Sequence, residues 1–510
     1  MKNYIKYIGI SACAVLMSCE PEFDNSIADN EVYRNGEADF TNFVSVGNSL
    51  TAGFADNALY VQGQENSFPN ILAQQFELVG GGEFVQPLMA DNLGGLKFNG
   101  QIISGNRLVL TALSGSPVPA PIAGEPSTEV TNKLSGPINN MGVPGAKSYH
   151  LVAEGYGSTA GVPLGESNPY FARFASSDNA TVLGDAAAQN PSFFSLWIGN
   201  NDILGFATSG GVGVNQLGNL DPSTYGSNDI TDPNVFASVY SQLIDGLSAN
   251  ASGGVVFNIP DVTNIPFFTT VPVNAIPLDQ ATADLLNSQF VAYNNQILPG
   301  LAQLGLISAQ EAQQRQVNFV AGQNFVTIQD ENLTDISAIL QGPPFNLDAQ
   351  TAATLSQLRQ ATEDDLIPLT ASSILGTTVN NNPTLINGVS VPLADQHVLT
   401  VAEQEMVSEA QQAYNATIEA LAEANNLAYV DVDQVLVEVS NGIGFDGGVL
   451  TSDFVTGGAF SLDGVHLTAR GYAYVANQAI MAINAQYGST LPMVNIGNYG
   501  TVNLSDNIAQ

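Results

Sequence analysis

Ser49 stands in Gly47-Asn48-Ser49-Leu50, directly after the β-prone run Phe40 to Val46. A serine in a tight turn between strand and helix presents its hydroxyl to solvent and its N–H at a helix start, where negative charge is favoured. Asp463-Gly464-Val465-His466 places a carboxylate three residues before one of only three histidines in the chain. Such a carboxylate can hold one imidazole nitrogen while the other nitrogen faces a nucleophile. Gly199-Asn200-Asn201-Asp202 follows the apolar run Phe193 to Ile198. An asparagine amide at a strand end can donate to a developing oxyanion. Taken singly, the serine and asparagine motifs read more simply as a turn or a helix cap, and Asp-x-x-His is a common accident of sequence.

In chain order the blocks run Gly47–Leu50, Gly199–Asp202 and Asp463–His466, with Asn140-Met141-Gly142-Val143-Pro144-Gly145 between the first two, and together they resemble those of the SGNH (GDSL-type) hydrolases, a family of serine esterases and lipases. Phe257-Asn258-Ile259-Pro260-Asp261-Val262 is similar to the strand that follows the asparagine block in these enzymes. The resemblance implies Ser49 as nucleophile, His466 as base and Asp463 as the carboxylate that orients it. It implies an oxyanion hole made of the Ser49 N–H, the Gly145 N–H and the Asn201 side chain, with Gly142 as the other alignment for the glycine. It also implies a three-layer α/β/α sandwich with a central parallel sheet, of the flavodoxin-like kind, and chemistry that needs no metal or organic cofactor. Asn48 stands where the family name has Asp, a position that is neither nucleophile nor base. Compact members are much shorter than this chain. The extra length lies between Ser49 and Gly145 and between Asn201 and Asp463.

The motifs need elements to hold them. Phe40–Val46, Phe193–Ile198, Gly254–Ile259 and Ala428–Val432 are short apolar runs bounded by turn residues, and read as buried strands. Thr400-Val401-Ala402-Glu403 is a capping-box pattern. The apolar positions Met406, Ala410, Ala413, Tyr414, Ile418 and Leu421 continue it as a helix. Thr282–Leu298 and Leu467 to about Ala485 read as further helices, and Val317–Ile328 as a hairpin around Ala321-Gly322-Gln323-Asn324. Alternating strands and helices predict a parallel sheet covered on both faces, with motifs at the strands' carboxyl ends. The expected layout is a hydrolase domain over 40–490 with insertions at about 80–138 and 270–400, then a tail over 491–510. Glu363-Asp364-Asp365 reads as a solvated turn.

The chain has 510 residues, 11 Lys and Arg against 47 Asp and Glu, and a net charge of −36. That field excludes a nucleic-acid partner. Lys2 and Lys6 precede the apolar run Tyr7–Met17, which is shorter than the roughly 20 residues of a membrane span. It reads as a signal peptide over 1–19. Leu16-Met17-Ser18-Cys19 resembles a bacterial lipobox, so Cys19 is expected to carry lipid and to start the mature chain. Glu20 to Asp39 is polar and acidic, as suits a linker. The expectation is a protein lipid-anchored to the bacterial outer membrane, on the periplasmic face or the cell surface. Its substrate would be an ester, lipid or acylated carbohydrate. A carbohydrate O-deacetylase and a catalytically silent surface binding lipoprotein are the competing readings.

Overall fold

The computed structural model describes residues 33–113, 115–382 and 384–509. Five parallel strands build the central sheet: β1 (Phe43–Gly47), β2 (Asn140–Gly142), β3 (Phe193–Trp197), β4 (Gly253–Phe257) and β5 (Ala428–Val430). Their order across the sheet is β5-β4-β3-β1-β2. Every residue of β1, β3 and β4 is buried, as expected of strands covered on both faces. Helices flank the sheet and complete a three-layer α/β/α sandwich. Those relevant below are α1 (Ser49–Ala52), α2 (Phe68–Glu77), α3 (Asn201–Thr208), α4 (Pro233–Ser248), α5 (Val401–Ala424), α6 (Val432–Asn441) and α7 (Ala469–Tyr487). α2 packs with α7, and α4 packs with α5, where the Phe236 and Tyr414 rings stack at 4.2 Å.

Register places the motifs. Gly47 pairs with Gly142 on one side and Trp197 on the other. The residues that follow all three strands therefore emerge side by side at one edge of the sheet. The chain leaves β1 for β2 on one side, then crosses to β3 on the other, so this edge is the topological switch point where such sheets bind ligands.

The four expected strands form, three of them within a residue or two of their expected bounds, while β1 starts at Phe43, three residues later than expected; β2, read only as a motif, is the fifth. The Thr400 capping box forms as expected, Glu403 accepting the Thr400 N–H at 2.6 Å. The expected hairpin over 317–328 does not form. Gly322–Asn324 pairs instead with Ile276–Leu278, and Thr327–Gln329 with Leu358–Gln360. Asn324 folds back, its side chain accepting from Val320 N–H, and so closes the loop without a two-strand ladder. Residues between 276 and 398 bury a second core of their own around Phe290, Leu298, Ile328 and Leu340.

Two segments read as peripheral are built into the body. Within the expected linker, Glu37 N–H donates to the Tyr487 carbonyl, Arg34 pairs with Thr490, and Ala38 is buried. In the expected tail, Leu491 and Ile496 are buried, and 503–509 pair with the short strands Leu108–Thr111 and Val118–Pro121 of the first insertion. The signal segment, Cys19 and the linker as far as residue 32 lie outside the described residues. No helix among the described residues is long and apolar enough to cross a membrane.

Candidate active site

Asn48 caps α1 and sets Ser49 as its first residue. The Asn48 side chain accepts from Leu50 N–H at 3.0 Å and its amide donates to Asn200 Oδ1 at 3.1 Å. An asparagine can do both; an aspartate there would keep the cap but need the Asn200 amide turned round to meet it. The first N–H groups of a helix have no partner within it, and the Ser49 N–H, at the switch-point edge, makes no hydrogen bond among the described residues.

The turn before α7 supplies the other half. His466 Nε2 lies 2.9 Å from Ser49 Oγ, and His466 Nδ1 lies 3.0 Å from Asp463 Oδ2. The Asp463 carboxylate also accepts from the N–H groups of Val465, His466 and Asn57. Burial alone would raise its pKa. The His466 charge and these donors outweigh burial and hold it well below the usual carboxylate range. Asp463 therefore stays ionised and keeps the imidazole oriented. The Phe54 ring lies 4.6 Å from the imidazole and braces it.

The Pro144–Ser148 loop is tied down almost everywhere except at Gly145. Asn168 donates to the Pro144 carbonyl at 2.8 Å, and Asn201 Nδ2 donates to the Ala146 carbonyl at 2.9 Å. Asp202 accepts from Ser148 N–H at 2.8 Å and Ser148 Oγ at 2.7 Å. Burial pushes the Asp202 carboxyl up, against these two donors and the nearby Lys147 charge. Gly145 is left exposed, with φ +80°, and its N–H makes no hydrogen bond among the described residues. Gly142 is different: its N–H already donates to Asn140 Oδ1, and a Cβ there would sit 2.3 Å from Ala52 N. Of the two alignments, Gly145 is the one with a donor to offer. Asn201 uses one amide hydrogen on Ala146, and the other remains for a ligand.

One cleft takes in Ser49, Asn201 and His466 together with Asn48 and Asn200. The structure thus brings together Ser49, Asn201, His466 and Asp463, with the Gly145 loop tied to Asn201. Cys19 lies outside the described residues. His150 does not line this cleft. It accepts the Lys147 N–H at Nδ1 and stacks on Tyr156 at 4.5 Å. Burial, then the Lys147 charge, depress it to about 4.

Sequence reading missed Asn57, Phe54, Asn168 and the clamping role of Asp202. Only Asp202 had a signal, its place in the asparagine block; the other three act through tertiary contacts. It also missed the second carboxylate set. Glu331, Asp395 and Glu403 bring oxygens within 4.8 Å of one another at the start of α5, and line none of the cleft at Ser49. Burial, with the Glu331 charge behind it, pushes Asp395 up to about 7 and Glu403 up to about 8. The expected solvated turn at 363–365 is only partly so: Asp365 is buried and holds Arg359 through both oxygens, at 2.6 and 2.8 Å. Compared with family models, curated proteins and solved structures, the chain matches none.

Proposed function

We propose that this chain is a serine hydrolase of carboxylic esters, working through an acyl-enzyme in the manner of the SGNH hydrolases its motifs resemble. The observation that carries the reading is the continuous chain Ser49 Oγ–His466 Nε2 at 2.9 Å and His466 Nδ1–Asp463 Oδ2 at 3.0 Å. Hydrogen-bond reach between nucleophile and base, with the base oriented by a third group, is the geometry such catalysis requires.

The steps follow from the atoms. His466 Nε2 takes the Ser49 proton as Oγ attacks the ester carbonyl carbon. The carbonyl electron pair moves onto oxygen, facing the N–H groups of Ser49 and Gly145 and the Asn201 amide. The carbonyl reforms, and the alcohol leaves with the proton from His466. A water, deprotonated at His466 Nε2, then attacks the acyl-Ser49 carbonyl; the acyl–Oγ bond breaks, His466 returns the proton to Ser49 Oγ, and the carboxylic acid is released. Asp463 keeps Nδ1 protonated, so Nε2 is the basic nitrogen.

The signal and lipobox pattern add a second part to the proposal: export, and a lipid anchor at Cys19. A fluorophosphonate probe tests the enzymatic part. Covalent labelling of Ser49, absent in Ser49→Ala, together with p-nitrophenyl ester hydrolysis is the expected result. An unlabelled, inactive protein would leave the binding-lipoprotein reading in its place.

A further inference from the structure

The cleft does not end at the reacting atoms. Beyond Ser49 and His466 it continues as a slot between α6 and α7. Val432, Val435, Leu436 and Val439 face it at the i, i+3, i+4, i+7 spacing of one helical face, with Val475 across from them on α7. Val435, Leu436, Val439 and Val475 are all buried. Both helices start at the sheet edge that carries the site. From Val432 to Val439 is about 10 Å of helix, so the slot leads away from Ser49 into the body. The whole cleft, reacting end and slot together, has a volume of about 80 Å³, where one water needs roughly 10–15 Å³, so roughly five to eight water-sized groups fit along it from the reacting end inward.

Polar side chains gather at the mouth. Past them the wall is aliphatic and aromatic, and the Trp197 N–H in it is already donated to the Asn258 carbonyl. A sugar hydroxyl placed in the slot would exchange water for hydrocarbon, which is costly, whereas a methylene gains. The group held there must also be the one retained through both steps. The acyl group stays on Ser49 while water replaces the alcohol, and the alcohol needs an open way out.

We propose that this slot is an acyl-chain subsite that selects straight aliphatic acyl groups of about six to eight carbons. The inference rests on the reading of Ser49 as the acylated nucleophile. It sets an aliphatic ester, not an acetylated carbohydrate, as the substrate class.

The test is kcat/KM for p-nitrophenyl esters from acetate to palmitate, run beside fluorophosphonate labelling. Each added methylene should raise kcat/KM about 3–4-fold until the slot is full, with no further gain beyond roughly octanoate. A flat profile, or one best at acetate, with Ser49 still labelled, would overturn the subsite and leave the hydrolase standing. Val439→Phe should cut the octanoate-to-acetate ratio at least about ten-fold while moving the butyrate-to-acetate ratio less than about two-fold. An equal fall at every length would count against the slot. If a melting curve shows that Val439→Phe does not fold, Val475→Phe tests the same wall from α7. If Ser49 is neither labelled nor active, the hydrolase reading fails. Calorimetric binding of octanoate then decides the slot: saturable binding supports it, and no binding overturns it.

Discussion

At the residue scale, the pair Asn200 and Asn201 divides its work. Asn201 faces the cleft beside the Gly145 loop, and Asn200 spends its carbonyl on Asn48. Asn201→Ala should lower kcat by about 10²–10³, the usual loss of one oxyanion donor. Asn200→Ala should cost much less, because it loosens only the cap under Ser49. Steady-state kinetics of both variants check the order, and equal losses would place the donor elsewhere. His466→Ala should lower kcat by several orders of magnitude, as removal of a triad base does. Wild-type turnover in that variant would defeat the catalytic assignment whatever the other residues did. Ser49 and His466 are 417 positions apart, yet both were legible in sequence. Each sits in a short motif whose residue types the chemistry demands. The supports were not legible: Asn57 and Phe54 act through one backbone N–H and one ring face, which carry no local pattern.

At the element scale, the start of α5 should respond to pH. The Glu403 carboxylate closes the capping box yet is buried beside Asp395 and Glu331. Its folded pKa of about 8 and that of Asp395, about 7, lie above their unfolded values. A raised carboxyl stabilises the fold fully below its unfolded pKa and loses that contribution as pH rises through the folded value. Stability should therefore fall between about pH 4 and 8 from this cluster. Glu403→Gln keeps the acceptor that the box needs and removes the titration. Its melting temperature should exceed wild type by roughly 2 °C or more at pH 9, and the gap should close at pH 5. A gap that does not change with pH would show that Glu403 is not buried as a neutral acid. The capping box was plain in sequence because its two members are three residues apart. The carboxylate set was not, because residues 331, 395 and 403 meet only when the second insertion folds back on α5.

At the scale of the whole molecule, the insertions do more than lengthen the chain. The second one packs close to Asp463: a Cβ at Gly464 would lie 3.1 Å from Leu369, and just before the insertion Phe267 N–H donates to the Gly464 carbonyl at 2.9 Å. The first joins with 503–509, while Arg34 and Glu37 bond to Thr490 and Tyr487, so the start of the described body is tied to its C-terminal segment. A body closed in this way can hang on a lipid tether without depending on it. Cys19→Ala should leave ester hydrolysis unchanged and move the activity from the membrane fraction to the soluble fraction. Mass spectrometry should find the wild-type mature chain starting at an acylated Cys19. An unmodified chain cut at another residue would refute the anchor.

By itself the sequence determined the sheet-forming runs, the α5 cap, the strongly negative net charge, and the residue types at the motifs. These depend on neighbours a few positions apart, on apolar periodicity and on side chains that cap their own backbone. Only the tertiary structure decided which glycine keeps a free N–H, since Gly142 and Gly145 differ in what packs around them rather than in type. It also decided the partners of Gly322–Asn324 and Thr327–Gln329, because strand pairing is chosen by burial against distant segments. The slot between α6 and α7 belongs to the same class. Val435 and Val439 read as ordinary core positions until the packing leaves an aliphatic gap beside them, with Ser49 at its mouth.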